Sequence, residues 1–106
     1  MASSKEYMEY VLEQLRDIDE ISYRPMMSEY IIYCNDRVIG GVFDDRFLVK
    51  NTPSAAKLLA GAPLELPYEG AREMRLADID DRQLLNRLIP LIAAEVPAKK
   101  KRNKTG

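Results

Sequence analysis

Histidine is absent from this 106-residue sequence, and cysteine occurs once, as Cys34. The missing histidine removes the usual general base, the usual partner of an activated nucleophile and the commonest metal ligand. A single cysteine forms no intrachain disulfide and builds no multi-cysteine zinc site. No apolar run approaches the roughly 20 residues that a membrane-spanning helix needs. The opening Met1-Ala2-Ser3-Ser4-Lys5-Glu6 lacks the apolar core of a secretory signal. These absences lead to the expectation of a cytoplasmic protein that is not an enzyme and holds neither metal nor cofactor.

What is present has the balance of a globular domain, with 46% hydrophobic and 31% charged residues. The length suits one core and is too short for two. Charge is unevenly spread. Lys99, Lys100, Lys101, Arg102 and Lys104 place five positive charges after Pro97, so a net charge of −1 leaves about −6 on the rest. A body so acidic is a poor electrostatic footprint for nucleic acid, and any phosphate contact would fall to the tail. The expected division is a folded domain over residues 1–97 and a disordered basic tail over 98–106.

Helix signals open the chain. Ser3 with Glu6 makes a capping-box pattern, and Tyr7, Val11, Leu15 and Ile18 recur at helical spacing, widened by Tyr10 and Leu12. From Ile21 the period shortens. Strands are expected over 23–27, 30–34, 38–43 and 46–50, with Asn35-Asp36 and Asp44-Asp45 as tight turns of an antiparallel meander. Pro25 marks the first strand as an edge, since proline cannot donate to a ladder. Tyr30, Ile32 and Cys34 share one face and Ile31 and Tyr33 the other. With both faces apolar, this strand is expected to be central, covered by a helix on one side and by another helix or a second subunit on the other. Gly40-Gly41 in mid-strand predicts a bulge or a close backbone approach.

Thr52 and Pro53 begin a short helix that Gly61 ends. Residues 62–70 read as a loop and 72–77 as a last strand. Asp80 with Gln83 then opens a helix whose buried stripe is Leu84, Leu85, Leu88, Leu91, Ile92 and Val96. Pro90 is expected to kink this helix or split it.

One further signal lies in the order of these segments. Met26-Met27-Ser28-Glu29-Tyr30, the strand Tyr30-Ile31-Ile32-Tyr33, the turn and small residues of Asn35-Asp36-Arg37-Val38-Ile39-Gly40-Gly41-Val42, and Asp44-Asp45-Arg46-Phe47-Leu48-Val49-Lys50 together resemble the TfoX N-terminal domain family. Leu66-Pro67-Tyr68-Glu69-Gly70 resembles that family's proline-tyrosine loop. The resemblance runs from about Tyr23 to Val96. It implies an α+β fold, an antiparallel sheet of about five strands flanked by N-terminal and C-terminal helices, similar to the layout of type III secretion chaperones. It also implies a regulatory role of the kind held by the competence regulator TfoX, or Sxy. Two departures limit the transfer. Ser28-Glu29 stands where the family has a glycine pair, and the second, helical domain of TfoX has no counterpart in this sequence.

The remaining candidates are weighed residue by residue. Cys34 has no neighbouring cation to depress its pKa and reads as a buried strand-end residue. Asp36, Asp44 and Asp45 are turn formers at opposite ends of one strand rather than a cation site. Tyr7, Tyr10, Tyr23, Tyr30, Tyr33 and Tyr68 read as core and rim more than as a stacking surface for bases. Met26, Met27, Tyr30 and Tyr68 form the candidate protein-interaction patch. Lys99, Lys100, Lys101, Arg102 and Lys104 form the candidate phosphate-contacting tail.

Three functional readings follow. The leading one is a non-enzymatic regulatory or adaptor module acting through protein contacts, in transcription or competence regulation, with the transcription machinery as one partner class. The others are a nucleic-acid-associated module that uses its tail and a small-molecule binder with a cleft beside the sheet. A homodimer would cover a second apolar sheet face.

Overall fold

The computed structural model describes residues 4–27 and 29–96. Expectations that rest on Ser28 and on the tail from Lys99 to Lys104 therefore lie outside the described residues. The chain runs α1 (Lys5–Gln14), β1 (Ile21–Met26), β2 (Glu29–Cys34), β3 (Arg37–Phe43), β4 (Arg46–Lys50), α2 (Pro53–Leu58), β5 (Leu64–Glu65), β6 (Met74–Leu76) and α3 (Arg82–Glu95). Its strands form one antiparallel sheet in the order β1-β2-β3-β4-β6-β5. The sheet thus has six strands where about five were expected. The extra one is β5, two residues long, inside the proline-bounded segment read as loop.

Turn chemistry sets the meander. Asn35 and Asp36 have φ of 55° and 64°, and Asp44 and Asp45 have 54° and 56°. Both hairpins therefore close through consecutive left-handed residues, a conformation that Asn and Asp tolerate better than other side chains and that matches strand twist. The Gly40-Gly41 pair answers both of its expectations. The β2–β3 register shifts between Ile32 and Tyr33. A Cβ on Gly40 would clash with the carbonyl oxygen of Leu48 and stand 2.8 Å from the Val49 Cα.

All three helices lie on one face of the sheet. Met8, Val11 and Leu15 of α1, Ala55 of α2, and Leu85, Leu88, Ile89, Ile92 and Ala93 of α3 form one cluster with Ile32, Cys34, Ile39, Val42, Phe47 and Val49 of the strands. Of the covers expected for the opposite face, another helix or a second subunit, the first is thereby corrected: no described helix packs its apolar stripe there. Phe43 and Leu48 are buried outside that cluster, with Phe43 packed under Tyr68.

Helix caps fall one residue later than expected. Ser4 accepts from the Tyr7 amide at 3.1 Å and Asp81 from the Leu84 amide at 3.2 Å, so Ser4 and Asp81 are the caps. Thr52 caps α2 as expected, accepting from the Ala55 amide at 3.3 Å. The helix α3 runs unbroken through Pro90. Pro90 and Asn86 are both exposed, so water can satisfy the Asn86 carbonyl that the proline leaves unbonded. The buried stripes include Met8 and Ile89, while Tyr10 and Leu91 are exposed.

Candidate functional site

Two surfaces stand out, and the sheet positions both. The first is the β1 edge. Proline at position 25 and Arg24 beside it are features that blunt an open edge against indiscriminate pairing. From Ser22 to Met26 every residue of this strand is exposed, and only Ile21 is half-buried. Tyr23, Met26 and Met27 are 47%, 41% and 91% exposed. Met27 also takes a left-handed φ of 51°, holding its side chain at the tip of the β1–β2 hairpin. Tyr23 meets Tyr30 edge-to-face with ring centres 5.9 Å apart.

The second surface is a groove on the sheet face turned away from the helices. Cross-strand pairing puts Ile31, Gly41 and Leu48 in one row, with Val38 beside Tyr33 and Phe43 beside Arg46 on the same side. Gly41 has no side chain to fill this row, and a Cβ there would meet the Phe43 ring at 2.7 Å. The segment after β5 crosses above. Tyr68 packs on Phe43 with ring centres 6.3 Å apart, and Arg46 pairs with Glu65. The result is an open hollow of about 620 Å³, lined by Ile31, Val38, Phe43 and Met74, by Lys50, Arg72 and Glu73, and at one end by Thr52 and Pro53 at the start of α2 and Glu95 and Val96 at the end of α3.

The rim charges are not equivalent. Glu95 accepts from the Ser54 amide at 3.1 Å and from the Ser54 hydroxyl. These bonds to the first turn of α2 hold its carboxyl below the usual range. Among the described residues, Lys50 and Arg72 pair with no carboxylate. By contrast, Arg16, Arg46 and Arg82 have Glu13, Glu65 and Asp17, the last at 2.7 Å.

The interaction patch read from the sequence is divided by this geometry. Met26 and Met27 sit together at the β1–β2 end. Tyr30 opposes Val42 and is half-buried against the helix-side core, whereas Tyr68, 57% exposed, lies over Phe43 on the other face. Tyr23 shares the exposed edge strand with Met26 but faces the side of Ile32 and Tyr30. Its signal was Pro25, two residues on, which marked the whole strand as an edge. Lys50 and Arg72 were missed because nothing local ties a strand-end lysine to a loop arginine 22 positions later.

Cys34 is 4% exposed and donates to the Asp19 carbonyl oxygen at 3.6 Å. Burial raises its pKa, and the carboxylates of Glu20 and Asp19 add to the rise. It has the environment of an inert structural thiol. Among the described residues, no group of three or more histidine, cysteine or acidic side chains is placed to hold a metal ion. No described helix is long and apolar enough to cross a membrane.

With this geometry in place, kinship can be stated. Residues 13–88 match the TfoX N-terminal domain, and the chain belongs to that family. It is a competence-regulator-related domain, a regulatory type not known as enzymatic. The chain is also 28% identical over 104 residues to the "Uncharacterized 12.7 kDa protein in trpE 5'region" of Spirochaeta aurantia, covering 96% of this chain and 90% of that protein. No solved structure matches.

Proposed function

We propose that this domain is a non-enzymatic regulatory or adaptor module that works in the cytoplasm through protein contacts, in transcription or competence regulation. The observation that carries this reading is the β1 edge, along which Tyr23 on one face of the strand and Met26 and Met27 toward the hairpin tip are exposed. Tyrosine and methionine give large, adaptable contact area, and an unpaired strand edge offers backbone groups to an incoming segment. Pro25 limits such pairing to part of the strand, which favours a chosen partner over indiscriminate association. Family membership supports the regulatory half of the proposal.

Affinity capture of the tagged protein from its native lysate, with and without nuclease, tests this reading. Nuclease-resistant enrichment of a transcription factor or polymerase subunit is the expected result. Recovery that disappears with nuclease or moderate salt would instead favour the nucleic-acid reading through Lys99, Lys100, Lys101, Arg102 and Lys104. Recovery of the bait alone would contradict a stable adaptor.

A further inference from the structure

We propose that the groove on the helix-free face of the sheet binds a small amphipathic monoanion, its apolar body on Ile31, Val38, Phe43 and Met74 and its charge held by Lys50 and Arg72. This site is separate from the β1 edge and stands or falls independently of the adaptor reading.

Size and chemistry of the hollow argue for it. Its volume of about 620 Å³ lies within the range of roughly 300–1,000 Å³ typical of small-molecule sites. Such sites join an apolar lining to a few convergent polar groups, and this one has that composition. Gly41 lets the Phe43 ring lie close over β3, since a Cβ there would meet the Tyr30 carbonyl oxygen and that ring.

Charge decides which ligand class fits. Lys50 lies opposite Met74 in the β4–β6 ladder, and Arg72 lies two residues before Met74, so the cations flank one apolar floor residue. Neither has a carboxylate partner among the described residues. Glu95, kept ionised by its bonds to Ser54 at the start of α2, and Glu73 match the two cations in number. One anionic group fits beside Met74, between Lys50 and Arg72, while the two carboxylates disfavour a nucleotide or other polyphosphate. An aryl or short alkyl chain ending in a carboxylate meets both requirements.

The test uses the full chain with 4-phenylbutyrate and its uncharged counterpart 4-phenylbutanamide, followed by amide chemical shifts. The acid should bind saturably, at a Kd of about millimolar for so small a molecule. Its shifts should map to Ile31, Val38, Phe43 and Met74. The amide should bind about tenfold more weakly, the scale of one lost charge-assisted bond. In the K50A/R72A variant the acid should fall to the level of the amide, while the amide itself is unchanged. Both substituted positions are exposed, and Arg87→Ala on exposed α3 surface should leave acid binding intact. Equal affinity for acid and amide, shifts centred elsewhere, or no saturable binding would each overturn the proposal. So would cross-peaks joining the groove to Lys99–Lys104 or to a second copy of the chain, since the groove would then have another occupant. These results leave the capture experiment at the β1 edge unaffected, so the two readings fail separately.

Discussion

Gly40 sits where three strands converge, and the backbone of β4 occupies the space that a side chain would need. The clash is with main chain, which cannot rotate away as a flexible side chain can. Gly40→Ala should therefore lower stability by about 3 kcal/mol, at the upper end of overpacking effects, as read by urea unfolding. Gly61→Ala meets nothing within 4 Å and should stay within about 0.5 kcal/mol of the parent. Equal effects at the two positions would contradict the close approach. Cys34 supplies a second residue-scale prediction. Its folded pKa is raised, so the neutral thiol contributes its full stability below the unfolded pKa of about 8.5 and loses it as pH rises through the folded value. Ellman's reagent at pH 8 should label Cys34 far more slowly in the native protein than in urea. Comparable rates would show an accessible thiolate.

Elements test how the chain chooses its boundaries. Ser3-Ser4 and Asp80-Asp81 are doublets of good capping residues, so sequence periodicity cannot decide which member caps. In the fold Asp81 bonds the Leu84 amide, and Asp80 instead accepts from the Tyr10 hydroxyl of α1. Asp81→Ala should cost about 1 kcal/mol through loss of the cap, measured by urea unfolding; an unchanged midpoint would return the cap to Asp80. Pro90→Ala should stabilise α3 by about 1 kcal/mol, because it restores a backbone bond and removes a steric conflict. The β4 bounds, the Asn35-Asp36 and Asp44-Asp45 turns and the Thr52-Pro53 start were all legible, since each rests on chemistry within a few residues. The β5 strand was not. Leu64–Glu65 is too short to show alternation, and only its pairing with β6 defines it.

At the scale of the whole molecule, periodicity reveals which side of a helix is apolar but not which side of a sheet it will cover. The stripes of α1 and α3 were readable in outline, yet their packing on a common face was not. That shared face is what leaves Ile31, Val38 and Phe43 to form a groove. Likewise, Met26 and Met27 lie together at the hairpin tip as neighbours in sequence must, whereas Tyr30 and Tyr68 take opposite faces of the sheet, which no local pattern in the sequence decides. The register shift between Ile32 and Tyr33 lies between these positions, and a glycine pair signals a bulge without fixing where pairing will slip. The two surfaces that result are a blunted edge with exposed Tyr23, Met26 and Met27, and, apart from it, an open hollow lined by no β1 residue.

The central claim is that the exposed edge carries the protein contact. The most direct test is nuclease-treated affinity capture, comparing the parent with a Tyr23→Ser, Met26→Ser, Met27→Ser variant whose unfolding midpoint has been checked. These side chains are exposed, so the variant should remain folded. The account predicts a partner that is enriched by the parent and lost from the variant. A partner retained equally by both proteins, or no partner with either, would contradict it.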